Sequence, residues 1–150
     1  MEQSELNIIL KEHTKWLEDT STGKRANLRY ANLGGLDLRN ANLSSADLRY
    51  ANLRDLDLRD VDLTHASLTG ANIRYAIGNG REIKTLQTEF YTVVYTSTEM
   101  AIGCEHHNIT DWFEFDYEHI EAMDERATEF WAIYKPVLIT LININNILIN

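Results

Sequence analysis

An apolar residue recurs at every fifth position between residues 26 and 75, and this period constrains the fold more than any other feature. A small or aliphatic residue stands two positions earlier in each unit, with Asn, Asp or Ser between the two. A period of five fits neither a helix nor a regular strand. We therefore expect two inward residues on a very short extended stretch, followed by a turn in which Asn or Asp side chains bond nearby backbone groups. The recurring apolar residues are Leu28, Leu33, Leu38, Leu43, Leu48, Leu53, Leu58, Leu63, Leu68 and Ile73.

A longer period of 20 residues overlies the first. Tyr30 and Tyr50 are 20 positions apart, and so are the bulky exceptions at the small position, Leu36 and Leu56. Four five-residue units per turn of the chain explain this spacing, because residues 20 apart then lie one above the other. The pattern predicts about 2.5 such turns around a leucine core.

The units RANLRYANLGG, ANLSSADLRYANLRD and HASLTGANIRY resemble the pentapeptide repeat family. The resemblance implies a mainly β solenoid with additional helices: a right-handed quadrilateral β-helix with a capping helix before it and a small β+α module after it. Leu36, Leu56 and Val61 depart from the family's preference for Ala. The stretches ILKEHTKWL, GNGREIKTLQ and IGCEHHNITDWFEF are similar to pentapeptide proteins of phages and prophages.

Three domains are predicted from these patterns. Residues 1–24 form the cap, with a helix near 4–19 that starts at Ser4 and carries His13 on its apolar face. Residues 25–77 form the β-helix, and residues 78–150 form an acidic module of a β-meander and helices. Strands are expected at 81–87, 89–96 and 99–104, with helices around Trp112, after Asp116 and after Asp124. Pro136 should kink or restart the last helix, and residues 137–150 fit a helix or a strand.

Charge and composition exclude several classes of protein. The chain carries 14 Lys and Arg against 23 Asp and Glu, a formal charge of −9, whereas a general nucleic-acid binder needs a basic surface. The longest apolar stretch is too short and too polar to span a bilayer, and residues 1–10 do not resemble a secretory signal. With a single Cys and no disulfide, we expect a cytoplasmic protein without direct contact to nucleic acid or membrane.

Catalysis and metal binding have weak support in the sequence. Cys104, His106 and His107 are the candidate metal ligands, but zinc usually takes four ligands in two spaced pairs. A Cys104 nucleophile with His107 as its base is the enzymatic alternative, although a lone Cys in an apolar stretch is more often a core residue. No phosphate-binding loop or nucleophile motif is present in the sequence. The sequence therefore predicts no enzyme and no cofactor.

Two groups of residues are candidates for binding a protein partner. The first is a set of Arg and Tyr columns in the repeats, residue types that are favoured at interfaces. The second is an acidic group between residues 105 and 129, suited to a partner with a basic surface; a solvated helix face is its simpler explanation. The first group is Arg29, Tyr30, Arg49, Tyr50, Arg54, Arg74 and Tyr75, and the second is Glu105, Asp111, Trp112, Glu114, Asp116, Glu118, Glu121 and Glu125.

The function predicted from these features is non-enzymatic protein binding. The phage-like resemblance implies a modulator or inhibitor of a host defence or DNA-processing protein. The family resemblance also implies a second function, modulation of gyrase or topoisomerase by imitation of DNA. Residues 25–75 hold seven Arg and six Asp, and this near-neutral charge fits DNA imitation poorly. A third function is self-association into a homodimer through the stretch from Val137 to Asn150.

Overall fold

The computed structural model describes residues 1–147, with side chains through residue 143. Within that range it contains four helices and four strands, and these flank a repeat segment that we define as residues 26–77. The helices are α1 (Gln3–Glu18), α2 (Ile109–Glu114), α3 (Tyr117–Met123) and α4 (Ala127–Ile147). The strands are β1 (Lys84–Gln87), β2 (Thr92–Tyr95), β3 (Glu99–Ile102) and β4 (Glu105–Asn108).

The fold class predicted from the repeats, a right-handed quadrilateral β-helix, is wrong. The regular strands form a single open antiparallel sheet in the order β1-β2-β3-β4, outside the repeat segment. The repeat segment itself consists of turns and isolated bridges, without a regular strand between residues 26 and 77. The physical reason is the length of the unit. Each turn spans four residues and reaches into the next unit, so only a single residue of each unit is left to pair with the neighbouring layer.

Residues 20 apart are nevertheless neighbours in the repeat segment, in layers that lie one above another. Isolated parallel bridges join Asn27 to Asp47, and Asn52 to both Asn32 and Asn72. The backbone bonds repeat from layer to layer: Leu28 N donates to Asp47 O at 2.8 Å, and Leu48 N donates to Ser67 O at 2.9 Å. The recurring Leu residues are buried in one core, as the five-residue period predicts.

The turns follow from side-chain chemistry at two positions of each unit. Ala31 N donates to Leu28 O at 3.0 Å, and Tyr30 between them has a φ of 60°, as the third residue of a type II turn requires. The side chain of Asn27 also accepts from Arg29 N at 3.2 Å. Nine units share this Asn or Asp bond to the residue two positions on. Such bonds explain why those residue types occupy the position.

The layers are not paired at the level of Leu36 and Leu56. Isolated bridges join Asp57 to Ile77 on the same side and Asn32 to Asn52 on a neighbouring side. Asp37 and Asp57, by contrast, have no bridge between them in the described chain. This is the level at which both small positions carry Leu instead of Ala. Leu56 is still buried and Leu36 half-buried against the core, so the two Leu residues interrupt the backbone pairing but leave the packing intact.

Helix α1 covers the first layer. Leu6 is fully buried in the leucine core, and Ile9 and Leu10 pack against it. The helix begins one residue earlier than predicted: Glu2, not Ser4, is the residue before its first turn, and Glu2 N donates to Glu5 Oε2 at 2.8 Å. A capping helix removes apolar side chains and open backbone groups of the first layer from water.

The sheet covers the last layer with one face and carries helices on the other. Val94 and Ala101, together with Ile83, are buried in the leucine core. Val93 and Met100, the alternate residues, are buried in a second core with Trp112 and Phe130 of the helices. This alternation follows from the two-residue period of a strand. Strand β4 is an addition to the strands that the sequence predicts.

The helices after the sheet begin close to the predicted positions. Asp116 caps α3 and accepts from His119 N at 2.9 Å, and α2, the helix predicted around Trp112, follows Asn108. Helix α4 runs through Pro136 to Ile147, so residues 137–147 are helical; residues 148–150 of the predicted dimer stretch lie outside the described residues. None of the helices between residues 1 and 147 combines the length and the apolar character that a membrane crossing requires.

Candidate interaction surfaces

Tyr30 and Tyr50 form an exposed, stacked pair on one corner of the repeat segment. Their ring centroids are 5.0 Å apart and their planes are inclined by 10°. Tyr30 is 66% exposed and Tyr50 is 47% exposed. The third residue of this column is Gly70, where an added Cβ would lie 2.4 Å from Tyr50 Cδ1. Glycine at this position therefore leaves the space that the Tyr50 ring occupies.

Arg29 lies over this tyrosine pair. Its guanidinium carbon is 4.9 Å from the Tyr30 centroid and 5.5 Å from the Tyr50 centroid, and Nη2 donates to Tyr30 Oη at 3.1 Å. Exposed cation–π contacts of this kind contribute about 0.5–1 kcal/mol. Arg29 forms no ion pair in the described part of the chain, although its charge helps to lower the pKa of Asp47. Its guanidinium can therefore still pair with an incoming acceptor.

The residue two positions before an Arg decides whether that Arg has a carboxylate at this position to pair with. Where it is Asp, the guanidinium folds back on the carboxylate, as Arg39 does on Asp37 at 2.7 Å and Arg49 on Asp47 at 2.5 Å. These bonds lower the pKa of Asp37 and Asp47 to about 2. Arg59 and Asp57 repeat the arrangement. Arg29 follows Asn27 instead, which gives it no carboxylate and leaves it on the tyrosine rings.

The neighbouring corner carries Arg54 and Tyr75. The Arg54 guanidinium lies 5.3 Å from the Tyr75 centroid and also pairs with Asp55 at 3.1 Å. Arg74 has a different role, because its Nη1 donates to Cys104 O at 3.0 Å and ties the repeat segment to the β3–β4 turn. The structure therefore places Arg54 and Tyr75 at the surface and uses Arg74 as a link to the sheet.

A ladder of asparagines joins the two corners, and the sequence analysis did not single it out. Asn52 Nδ2 donates to Asn32 Oδ1 at 2.8 Å, and Asn72 Nδ2 donates to Asn52 Oδ1 at 3.2 Å. The signal was present as Asn at the same position in three units spaced by 20. We define the Arg/Tyr surface as the two corners with this ladder between them. Its residues are Arg29, Tyr30, Asn32, Arg49, Tyr50, Asn52, Arg54, Asn72 and Tyr75.

The acidic residues lie on the helical side of the sheet, away from the repeat segment. Glu114, Glu118, Glu121 and Glu125 are exposed and have no ion-pair partner in the described residues. Others are partly neutralised: Asp116 accepts from His119 Nδ1 at 2.7 Å, and its bonds to His119 lower its pKa. We call the group the acidic patch. It comprises Glu105, Asp111, Glu114, Asp116, Glu118, Glu121, Asp124, Glu125 and Glu129.

Trp112 is buried in the second core, beneath the helices that carry the acidic patch. It is 2% exposed, and its Nε1 donates to Met100 O at 2.8 Å. Its ring packs against His107 and Trp131, with centroids 5.2 and 5.6 Å apart. Trp112 thus belongs to the core of the helical layer, and the surface that a partner would meet there is formed by the glutamates.

The structure does not bring Cys104, His106 and His107 together. Cys104 is exposed in the turn before β4, whereas His106 and His107 are successive residues of that strand and so face opposite sides of the sheet. His107 contacts Glu105, and His106 contacts Glu99. Within residues 1–147, no group of three or more His, Cys, Asp or Glu is arranged to hold a metal ion.

Glu99 and His106 form a polar junction between the sheet and the repeat segment. Glu99 is 5% exposed, its Oε1 accepts from Gly70 N at 3.1 Å, and its Oε2 lies 3.6 Å from His106 Nε2. That nitrogen is buried and has no hydrogen-bond partner in the described residues. Burial lowers the pKa of His106, against the opposing effect of Glu99. Sequence reasoning assigned His106 to a candidate metal site, whereas its neighbour is a buried carboxylate.

Comparison with known proteins identifies the repeats. The family described as Pentapeptide repeats matches residues 24–60 and 41–77, in 8 copies. These residues make up a little over a third of the chain and include the whole Arg/Tyr surface. A comparison with curated proteins found no match. The chain therefore contains pentapeptide repeats, followed by a sheet and helices that this match does not cover.

Proposed function

We propose that this chain is a non-catalytic protein-binding module whose principal contact is the Arg/Tyr surface. The observation that carries the proposal is Arg29, a cation without an ion-pair partner in the described residues, held over the exposed rings of Tyr30 and Tyr50. Pentapeptide repeats are commonly protein-interaction modules, and the surface lies wholly within them.

The Arg/Tyr surface has the properties of an interface hot spot. Tyr and Arg are enriched among the residues that dominate binding energy. Rigid aromatic side chains lose little conformational entropy when a partner arrives. Here the stacking of Tyr30 on Tyr50 and the ladder of Asn32, Asn52 and Asn72 fix the surface before binding. We expect it to recognise an aromatic or carboxylate-bearing side chain of the partner.

The acidic patch gives the module a second contact, suited to a partner with a basic surface. Its unpaired glutamates create a negative potential that attracts cations and accelerates association. We further propose that the partner is a host defence or DNA-processing protein, which the module modulates or inhibits. This step rests on the similarity of residues 9–17, 78–87 and 102–115 to pentapeptide proteins of phages and prophages.

A quantitative pull-down from bacterial lysate tests the proposal. The bait is the full chain, compared with a variant carrying Arg29→Gln, Tyr30→Ser and Tyr50→Ser. The matched control carries Arg39→Gln and Arg59→Gln, which removes two cations that Asp37 and Asp57 already neutralise. We expect the first variant to lose the specific prey at least fivefold and the control to retain it. Equal capture by all three baits would refute the Arg/Tyr surface.

The contribution of the acidic patch is measured with a separate variant. Glu114→Gln, Glu118→Gln, Glu121→Gln and Glu125→Gln remove four exposed charges without altering the core. We expect slower association with the same prey and a weaker dependence of association on salt, because screening acts on charges that are exposed to solvent. An unchanged salt dependence would remove the acidic patch from the interface.

Self-association through α4 is the second candidate function. Ile133, Val137 and Ile139 are 50%, 44% and 39% exposed on this helix, and such apolar side chains favour contact with another protein surface. Truncation is a poor test, because Leu138 is fully buried in the second core. Size-exclusion chromatography of an Ile133→Gln, Val137→Gln variant against the wild type is a better one. An identical elution volume over a wide concentration range would reject the dimer.

A further inference from the structure

A cleft with a volume of about 650 Å³ lies between the last layer of the repeat segment and the sheet. Residues 64–69 form its floor, and residues 80–82 with Lys84 form one wall. Tyr95 of β2 and the turn after it, residues 96–98, form the other wall, and Ile142 of α4 also lines the cleft. The volume is within the range of binding pockets, and the Arg/Tyr surface does not include any of these residues.

The floor of the cleft is an unpaired backbone edge. In the first layer, Leu28 N donates to Asp47 O and Ala26 O accepts from Asp47 N; in the second, Leu48 N and Ala46 O bond Ser67 in the same way. The equivalent groups of the last layer are Leu68 N and Ala66 O. Neither has a hydrogen-bond partner within the described residues. If the repeats continued for another layer, residue 87 would lie in this cleft and would bond Leu68 N and Ala66 O, as Asp47 and Ser67 bond the layers below them.

Glu99 shows that a group outside the repeat segment can accept a hydrogen bond from the backbone of the last layer. In the lower layers, Tyr30 N donates to Arg49 O and Tyr50 N donates to Thr69 O. At the same position of the last layer, Gly70 N donates to Glu99 Oε1 at 3.1 Å. The sheet thus replaces the missing layer at Gly70, beside the two open groups at Leu68 and Ala66. Buried or half-buried backbone groups without partners are costly, so an added strand residue would be stabilising.

One wall of the cleft carries two cations and one acid, a net positive charge in an otherwise acidic chain. Arg81 is exposed at the rim, and Lys84 is half-buried beside it, with Nζ bonded to Arg81 O and 5.9 Å from the Tyr95 centroid. Glu82 is the acidic residue of the lining, and its carboxylate accepts from Asn79 Nδ2 at 2.7 Å. Burial lowers the pKa of Lys84, against the opposing effect of Glu82, so the charged form of Lys84 is only partly solvated there. A carboxylate brought into the cleft would replace that solvation.

We propose that the cleft binds an extended acidic peptide segment of a partner protein. A residue of the segment donates its N–H to Ala66 O and accepts from Leu68 N with its C=O, as Ser67 does for the layer below it. An acidic side chain near that residue meets Lys84 and Arg81. Main-chain bonds then provide the affinity and the charged wall provides the selectivity, as in other cases of strand addition. This contact is independent of the Arg/Tyr surface.

The test uses the full ¹⁵N-labelled chain and three blocked hexapeptides in NMR titrations. The first peptide alternates valine and glutamate, the second alternates valine and glutamine, and the third is the first with its valine amides N-methylated. We expect the valine/glutamate peptide to shift the amide of Leu68 and to slow its hydrogen exchange. The glutamine peptide should bind at least fivefold more weakly, and N-methylation should abolish binding because it removes the donors to Ala66 O.

Two variants show whether the cations of the cleft wall contribute to binding of the peptide. Arg81→Gln with Lys84→Gln should weaken the valine/glutamate peptide at least fivefold, whereas Lys11→Gln with Arg39→Gln, which removes the same charge far from the cleft, should not. Thermal unfolding of both variants controls for folding. The proposal is overturned if the first peptide fails to bind at millimolar concentration, if the N-methylated peptide binds equally well, or if binding appears only in a chain shortened by residues 148–150. In that last case the chain's own end would occupy the cleft.

Discussion

The side-chain amide of Gln3 makes both hydrogen bonds of the Asp37 backbone. Gln3 Oε1 accepts from Asp37 N at 2.8 Å, and Gln3 Nε2 donates to Asp37 O at 3.1 Å. These are the bonds that Asp47, on another side of the repeat segment, makes with Ala26 and Leu28 of the layer beneath it. The α1 side chain therefore takes the place of a layer that the chain does not have.

Replacing Gln3 by methionine should destabilise the chain by about 1–2 kcal/mol, because two backbone groups lose their partners while the side-chain volume is kept. Urea unfolding at neutral pH measures the change. Lys11→Met is the matched control, since Lys11 is exposed on the same helix, and it should change the free energy of unfolding by less than about 0.5 kcal/mol. Equal effects of both substitutions would show that Gln3 contributes only helix propensity.

Sequence reasoning found the parts of this fold that depend on local spacing. The five-residue period identified the buried Leu positions, and the 20-residue period identified the stacking of Tyr30 on Tyr50, because both follow from contacts that repeat along the chain. It did not find the bonds of Gln3 to Asp37, which are 34 residues apart. A contact made once leaves no periodic signal in a single sequence.

The prediction of a β-helix was wrong because family resemblance was read as regular β-structure. The backbone of each unit is dominated by its turn, as Tyr30 with its φ of 60° shows, and the pairing of layers is reduced to isolated bridges. The His106–Glu99 contact was missed for another reason. Residues 99 and 106 become neighbours only because β3 and β4 pair in the register Ala101↔His106, and β4 was not predicted.

The stability of the chain should fall as pH is lowered below about 6.5. Burial lowers the pKa of His13 and of His106 from 6.5 in the folded chain. As pH falls through 6.5, the unfolded chain therefore binds protons before the folded chain does, and the free energy of unfolding decreases. For His13, burial acts against the bond to Ser44 O, which lies 3.0 Å from Nε2 and raises the pKa; on the other side of the ring Nδ1 accepts from Ala26 N at 3.1 Å. Protonation would turn Nδ1 into a donor that faces another donor.

Urea unfolding between pH 7.5 and 5.0 measures this effect with little contribution from Asp and Glu, because in the unfolded chain these groups take up protons mainly below about pH 5. His13→Gln should reduce the slope of stability against pH, and His106→Gln should reduce it further. His65→Gln, at an exposed position, should leave the slope as in the wild type. A His13→Gln chain with the wild-type slope would contradict the assignment.

Alanine at Gly70 should disturb the Arg/Tyr surface, whereas alanine at Gly35 should not. Both glycines occupy the turn position with positive φ, +69° and +79°, so each substitution should cost about 1 kcal/mol of stability through backbone strain. A Cβ at Gly35 has no atom within 4 Å, but a Cβ at Gly70 would lie 2.4 Å from Tyr50 Cδ1. Only Gly70→Ala should therefore displace the Tyr50 ring and weaken capture of the partner, at least threefold. Comparable capture by the two variants would show that the position of this ring does not matter.

A single substitution should also neutralise the charge of Arg29 while leaving the residue itself in place. Asn27→Asp provides the carboxylate that Arg39 and Arg49 have and Arg29 lacks. We expect the new carboxyl group to have a pKa well below its ordinary value, as Asp47 does at about 2, and Arg29 to leave the rings of Tyr30 and Tyr50 for it. Binding of the partner should fall severalfold, while the free energy of unfolding changes little, because surface ion pairs contribute only about 0–1 kcal/mol.

NMR titration of the new carboxyl group and of the Arg29 side-chain signals measures the rearrangement directly, and the pull-down measures its consequence. Asp37 and Asp57 are also 20 residues apart and each holds its own Arg, but no bridge joins them as one joins residues 27 and 47. Urea unfolding of the variant therefore checks that the level of residues 27 and 47 stays paired. Asp62→Asn is the control, since it changes a carboxylate of a unit that has no Arg two positions on. If the new carboxyl group titrates at its ordinary pKa and capture still falls, the loss does not come from neutralising Arg29, and the rule that an Asp holds the Arg two positions after it is wrong.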